Sequence, residues 1–526
     1  MGPPNSNAGT MTASAARVRR NEIIGVLSLA VDFAIGQAVG YGLRSAVASM
    51  AVARDLGCDE AIAAESYYQG LLQASGCNAE TDVLNALFGD EILLRQDVAR
   101  IERADPSQML TLLMTHVGSG REGLTPQSAG DEAFRTIMGA ANRVFHSHCE
   151  TASKLAERLG LSKAVQRNLG QTHERWDGAG IPEGLSGEAI GLPVRIATVV
   201  HHCIRLGGFL AAEQVAERVR SRSGAAYDPA IVDAVLPRIG ELLADADDGA
   251  AWEKAICDFP PDDISLSDAE LDAACEVLAD FIDLKSPAIA GHSRAVSALA
   301  DAAAKVAKLS EQDRALVRRA ALLHDLGYAA IPGPQRLKQA GSEQARLHPY
   351  YAERLLHRAP GLAPIGVVIA QHHERLDGSG FHRACRGPDL SKASRLLAAA
   401  DTYETLTENR GKREALSPQK AALALREEAR RGALCGDAVA AVLEAAGLGG
   451  RSKKVTHIAG LTAREIEVLQ ALARGGATKD IASDLELSPK TVDNHIQSIY
   501  AKLGVKTRGG ATLFALERGL LQPGKA

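Results

Sequence analysis

The sequence predicts an all-helical protein, and three observations carry that expectation. Alanine and leucine, both strong helix formers, are abundant, aromatic residues are only 4% of the chain, and β-branched runs are few. Apolar residues recur at helical spacing, as Leu316, Ala320 and Leu323 do with Val317 and Ala321 beside them. Helix-start signals stand before such stretches. Ser310-Glu311-Gln312-Asp313 has the form of a capping box, Thr462 to Glu465 is one, and Ser488-Pro489 joins an N-cap to the proline favoured in a first turn.

The elements divide in order. Residues 1–20, rich in Gly, Ala, Ser and Asn, read as a disordered tail. Residues 23–43 are apolar but interrupted by Asp32 and Gln37, which argues against a membrane span. No basic region leads into an apolar core with a cleavage site, which argues against a signal peptide. A first helical unit is expected over 21–258, with a loop at 116–132. Pro260-Pro261 cannot continue a helix and marks a break. A second unit is expected over 262–446; within it Gly327 closes a helix whose last turn carries His324-Asp325. A Gly/Lys linker, 447–456, leads to a module over 457–526. There Thr478 caps a second helix and a last helix lies near Ala511 to Leu520. Eight cysteines form no C-x-x-C pair, so neither a disulfide framework nor a thiolate zinc site is indicated, and a reducing cytoplasm fits.

Charge is uneven. From Arg451 to Ala526 there are twelve Lys/Arg and seven Asp/Glu, or +5; the chain as a whole carries −5, so the rest carries −10. A basic end on an acidic body suits nucleic acid.

The two helical units repeat one pattern. Tyr41 to Gln73 and His292 to His324 are each 32 positions apart; His148 to His173 and His348 to His373 are each 25; His173 to His201 and His373 to Asp401 are each 28. The first copy is longer by about 50 residues between Gln73 and His148. Only the second copy keeps metal-binding side chains. Tyr41 stands for His292, Gln73-Ala74 for His324-Asp325, Thr172 for His372 and His201 for Asp401. Seven of the fifteen histidines fall within 292–382, closer than scattered core histidines would lie. Imidazole and carboxylate donors without thiolate suit iron, manganese or similar divalent ions, and an Asp beside a His can bridge two of them.

With "HHERLDGSGF" at 372–381, the second unit resembles the HD superfamily of phosphohydrolases, and within it the HD-GYP family. The resemblance covers about 270–440, with a degenerate copy before it. It implies that His292, His324, Asp325 and Asp401 hold one metal, and that Asp325, His348, His372 and His373 hold a second, with Asp325 bridging. It makes His324 and Asp325 the catalytic pair. It places Arg410 and Arg413 where the family keeps basic residues that meet phosphate, and a phosphorylated nucleotide such as cyclic di-GMP as the ligand. There are two departures from it. Tyr328 stands where the family has lysine, and Phe381-His382 replaces Tyr-Pro.

Residues 461–521 resemble the LuxR-type helix-turn-helix along their whole length. In the third helix Val492, Ile496, Ile499 and Leu503 form an apolar stripe, and Lys490, Asn494, Gln497 and Ala501 lie on another face, as suits a helix in a major groove. The resemblance implies that Asp493, Asn494 and Gln497 face bases, that Lys490, Thr491, Ser498 and Lys502 lie near phosphates, and that the last helix pairs two chains on double-stranded DNA. Two functional readings stand open: a transcription regulator that hydrolyses a nucleotide signal, and a regulator that senses metal and nucleotide without turnover.

Overall fold

The computed structural model describes residues 17–101, 108, 111–112, 115–116, 144–244, 248–258, 264–333, 342–410, 413–448 and 461–521. Residues 117–132 of the expected loop, the Pro260-Pro261 break and linker residues 449–456 lie outside the described residues. Every regular element among the described residues is a helix, so the all-helical class holds.

Two units repeat one order of helices. The first runs Arg20–Ala34, Tyr41–Asp55, Glu60–Leu72, a tight turn Ser75–Glu80, a helix over 144–158, then Lys163–Leu169 and Leu192–Gly207. The second runs Asp268–Asp283, His292–Val306, Glu311–Leu323, Leu326–Ala330, His348–Leu356, Ala363–Ala370 and Lys392–Thr407. The extra length of the first holds Thr81–Phe88 and Glu91–Arg100. The apolar faces meet in a core that both units share, with Leu27 and Leu71 from one and Phe281, Leu323 and Leu397 from the other. Polar contacts also cross the seam. Lys285 and Glu91 pair at 3.1 Å with side chains only 1% and 0% exposed, and Arg158 reaches Asp280 at 2.7 Å. Val18–Arg20, at the end of the segment read as a tail, are already built in: Leu266 N–H donates to the Val18 carbonyl and Arg20 N–H to that of Ile264, both at 2.9 Å.

Asp32 breaks the apolar run at 23–43 because it starts the next helix. It is buried and accepts from Gly40 N–H at 2.9 Å and Gly42 N–H at 3.1 Å. Asp283 does the same in the second unit, accepting from Gly291 N–H and the Ser293 hydroxyl.

Gly327 corrects an expectation. The helix ends earlier, with His324 as its C-cap, and Gly327 lies within the following turn. Its reason is clearance: a Cβ there would lie 1.9 Å from the His348 carbonyl oxygen, as one at Gly76 would lie 2.0 Å from that of His148. Gly327→Ala must therefore push apart two backbones that both carry centre residues. We expect a loss of roughly 2–4 kcal/mol, seen as a lower midpoint in thermal denaturation. An unchanged midpoint would show that the turn yields freely.

The C-terminal module is four helices, Ala463–Ala473, Thr478–Asp484, Pro489–Leu503 and Arg508–Glu517. They close around a core of their own that includes Val468, Ile481, Val492 and Leu516. Thr462 and Glu465 form the expected capping box, and Ser488 accepts from Thr491 N–H at 3.0 Å. Thr478 does not cap. Ala477 holds the extended N-cap backbone, so Thr478 is already helical. The last helix begins earlier than expected, at Arg508. Its start is docked on the first unit, where Glu150 accepts from Lys506 N–H at 2.9 Å and from the Thr507 hydroxyl at 2.5 Å. The chain after it reaches the second unit: a Cβ at Gly291 would lie 2.6 Å from the Leu521 carbonyl oxygen. No helix among the described residues is long and apolar enough to cross a membrane.

Candidate metal centre

The candidate ligands sit at helix ends, where side chains can converge without a helix interior in the way. His292 opens its helix, His324 caps the end of another, Asp325 starts the turn after it, and His348 opens the next. His372 and His373 follow Ala363–Ala370, and Asp401 projects from the buried face of Lys392–Thr407.

They form two overlapping groups. His292 Nε2 lies 3.3 Å from an Asp401 oxygen and 4.0 Å from Asp325 Oδ2. His324 Nε2 lies 3.3 Å from His292 Nε2, 3.4 Å from Asp325 Oδ1 and 3.7 Å from Asp401. His348 Nε2 lies 3.6 Å from the same Asp325 oxygen and 3.2 Å from His372 Nε2, with His373 beside them. Asp325 thus stands between the groups. The other ring nitrogens fix the orientation. Nδ1 of His324, His348 and His372 meets the carbonyl three residues back, of Ala321, Ala345 and Ile369, at 2.8, 2.7 and 2.6 Å. A carbonyl only accepts, so Nδ1 carries the proton and the Nε2 lone pair points inward.

Charge agrees with that geometry. Burial, helped by neighbouring imidazoles, lowers His348 to about 4 and His372 to about 3, so both rings are neutral donors. Burial opposes ionisation of Asp401, but the bond to His292 and the nearby imidazoles outweigh it and hold the carboxylate well below its usual range. Burial also opposes a charge on His292, yet Glu408 and Asp401 override it and push it up to about 10. The carboxylates thus draw positive charge into the site. Neutral His348 and His372 beside an ionised Asp401 are in the states that a divalent cation requires, whereas His292 would release its proton as a cation takes its place; the donor set fits one.

Three neighbours complete the site, of which Glu408 was not legible in the sequence. Glu408 accepts from His292 Nδ1 at 2.7 Å and is itself buried, a carboxylate–histidine pair that aims His292 inward. Tyr328 stacks on His348, centroids 4.1 Å apart and planes at 17°. Phe381 covers His373 at 4.3 Å. Arg410 lies 3.2 Å from the His292 ring and pairs with Glu408. Arg413 instead donates to the Leu406 and Thr405 carbonyls at a helix end. Glu408→Gln should weaken metal binding by about 10–100-fold. A metal titration checks this, and an unchanged affinity would reduce Glu408 to a packing residue.

The "HHE" glutamate is structural. Glu374 accepts from Arg383 and Cys385 N–H, as Glu174 does from Glu183 and Leu185. The glycines after it have two reasons. Gly378 takes a left-handed backbone (φ 83°), whereas a Cβ at Gly380 would lie 2.4 Å from Glu374 Cα.

In the first copy the corresponding groups bond to each other. His148 Nε2 meets the Gln73 carbonyl at 2.6 Å, Tyr41 donates to the His201 carbonyl at 3.1 Å, and Gln69 donates to Thr172 at 3.1 Å. Among the described residues, the groups able to hold a metal both lie in the second unit. In the C-terminal module Lys490, Asp493, Asn494 and Gln497 are exposed along one helix. Thr491 is turned to Ser488 at 2.8 Å, and Ser498 and Lys502 both reach Glu465 at 2.7 Å.

Known proteins share these parts. The HD domain model matches residues 123–231 and 276–434, and that of the luxR family of bacterial regulatory proteins matches 459–515. The 3'3'-cGAMP-specific phosphodiesterase 3 of Vibrio cholerae is 27% identical over 440 residues, 81% of this chain and 95% of its own length. The crystal structure of a V. cholerae cyclic GMP-AMP specific phosphodiesterase superposes with a TM-score of 0.56 at 23% identity, over 82% of this chain and 99% of its own. The spore germination protein GerE of Bacillus subtilis is 48% identical over 62 residues, 12% of this chain and 84% of that protein. A matched unit that converges its histidines and aspartates on one buried centre, joined to a luxR-family helix-turn-helix, places the chain in the HD domain family as a regulator with a DNA-binding end.

Proposed function

We propose that the second unit is a metal-dependent phosphodiesterase for a cyclic dinucleotide, and that its state sets DNA binding by the C-terminal module. The observation that carries this is the convergence of His292, His324, Asp325, His348, His372, His373 and Asp401 into two donor groups around one carboxylate. The donors are nitrogen and oxygen only, which favours two divalent ions, iron or manganese. Such ions, when bound, would clamp a phosphate and supply an activated water. The chain's own contribution is positional. Asp325, with His324 behind it, ties the two groups together. Arg410 brings a guanidinium to the edge of the centre, where a phosphate would meet it. Arg413, the other proposed phosphate contact, acts through the helix end that it holds. The V. cholerae relative acts, by its name, on 3'3'-cGAMP, and a Xanthomonas campestris relative, 32% identical over 145 residues, on cyclic di-GMP. These two are the substrates to offer.

The test is incubation of the full chain, loaded with manganese or iron, with each compound, following the linear dinucleotide. Turnover that a chelator stops supports the proposal. No turnover with metal bound favours a second reading, a non-catalytic sensor. Tyr328 favours that reading too, because it stacks on His348 where the family's lysine would stand.

The protein would work in the cytoplasm on double-stranded DNA as a homodimer. Coupling is supported by the dock, since the module's end touches Gly291, next to His292, and its last helix starts on Glu150. If that helix pairs two chains, it must first leave this dock. Glu150→Arg should then raise DNA affinity about tenfold or more and shift the chain to a dimer in the ultracentrifuge. Unchanged affinity and mass would separate the dock from DNA binding.

A further inference from the structure

The first unit keeps its fold after losing its metal ligands, and it also keeps a cavity. A space of about 880 Å³, within the range of small-molecule sites, opens where the second unit has its centre. Tyr41, Gln73, Ala74, His173 and His201, all at positions equivalent to ligands, line it.

Its electrostatics are reversed. Both carboxylates of the metal centre are gone, Asp325 to Ala74 and Asp401 to His201. Arg205 stands where the second unit has Thr405, and Arg222 joins it in the wall. Arg222 donates to the Tyr227 hydroxyl at 3.0 Å, which also meets His202 at 2.8 Å, so a cationic, hydrogen-bonded cluster forms one side. Arg95 and Arg175 line the cavity too, held by the Ala34 and Cys77 carbonyls and by Asp177 respectively. Of the two carboxylates in the wall, Glu174 is turned to backbone N–H groups, and Glu80 lies toward Tyr500 of the DNA-binding module. Polar capacity is left over. Gln73 is only 6% exposed, yet its Nε2 has no hydrogen-bond partner among the described residues, and neither has Arg205 Nε. Buried donors left this way are costly, so they favour an occupant that accepts hydrogen bonds.

The remaining walls are flat or apolar. Phe145 and His148 each pack on His173 with centroids at 4.6 Å, Tyr41 packs on His201 at 4.3 Å, and Leu84, Phe88 and Leu94 complete the lining. A cluster of arginines, with the Arg205 Nε donor unfilled, beside aromatic planes suits a planar ring system that carries a phosphate. We infer that the first unit is a metal-free binding site for a nucleotide-like anion, converted from a metal centre by exchange of its two carboxylates for Ala74 and His201 and of Thr405 for Arg205. The cyclic dinucleotide proposed as substrate and its linear product share this chemistry. The inference rests on the proposed function only for this choice of probes.

The site has a route to the DNA-binding module. The helix over 144–158 turns Phe145 and His148 to the cavity, while Ser147, Glu150 and Thr151 meet Gly509 and Gly510 of the module's last helix.

The test uses the full-length Asp325→Ala chain, stripped with a chelator, so that the second unit is silenced. 3'3'-cGAMP, cyclic di-GMP and their linear forms are titrated by calorimetry. One site per chain is expected; the cyclic and linear arms identify which form is held. Arg205→Ala and Arg222→Ala should each weaken binding tenfold or more, and Arg205→Lys should restore part of it. Ala74→Phe should block the cavity while leaving metal content and turnover in a chain with Asp325 intact. Failure of all four compounds to bind, or binding indifferent to Arg205, Arg222 and Ala74, would overturn the inference. Turnover by the unaltered chain, measured separately, reports on the second unit alone.

Discussion

Replacing Asp325 with alanine should empty the metal centre of both ions and end turnover. Asp325 Oδ1 lies 3.4 Å from His324 Nε2 and 3.6 Å from His348 Nε2, and Oδ2 lies 4.0 Å from His292 Nε2. Asp401 also spans the groups, 3.3 Å from His292 Nε2 and 3.9 Å from His373 Nδ1, but lies farther from the second group than Asp325 does. Loss of Asp325 would leave two divalent charges facing imidazoles and the single carboxylate of Asp401, in a site where burial makes uncompensated charge costly. The fall in activity should exceed the roughly 10–100-fold that loss of an outer partner costs. Metal analysis and a dinucleotide assay on the same sample check this. Fold damage is controlled by Asp325→Asn, which keeps the shape and loses the charge. Two ions retained in the alanine variant would mean that another group bridges them.

In the C-terminal module, base choice and general affinity should separate by residue. Gln497 is exposed on the helix Pro489–Leu503. Gln497→Ala should relax preference at one base position, by about 1–3 kcal/mol. Lys502 has a second duty. Its ammonium binds both Glu465 oxygens at 2.7 Å, and Glu465 closes the capping box of the first helix while accepting from Ser498. Lys502→Ala should therefore weaken all sequences alike, flatten the salt dependence by about one unit of slope, and loosen the seating of the recognition helix. Binding curves on specific and random duplexes at several salt concentrations distinguish the two. If both variants bind as the parent does, the groove-facing helix is another one.

How legible the chain was depends on the length scale of each interaction. Helical class, the duplicated pattern and the candidate ligand residues could be read directly, because helical periodicity, caps and equal intervals are local or countable. His292 and His324 were readable as candidate ligands since each stands at the same interval as a substituted residue in the first copy. The capping box at Thr462 and the N-cap at Ser488 were readable because both partners lie within three residues.

What stayed hidden depends on contacts between distant segments. Glu408 is 116 positions from His292, and nothing in its neighbourhood marks it as the group that orients that ring. Gly327 looked like a helix stop; only the approach of the His348 carbonyl gives its reason. Arg410 and Arg413 were equivalent as letters, and packing turns one to the centre and the other to a helix end. The cavity of the first unit was invisible because absent side chains leave no mark on periodicity. By itself the sequence determined an all-helical chain with one metal-competent copy and one DNA-binding end, since helix formation and donor chemistry belong to the residues. Only the tertiary structure decided that Asp325 stands between two donor groups, that the stripped copy encloses a cationic cavity, and that the DNA-binding module is docked by its last helix. Those are distances between groups, and distance is set by how the helices pack.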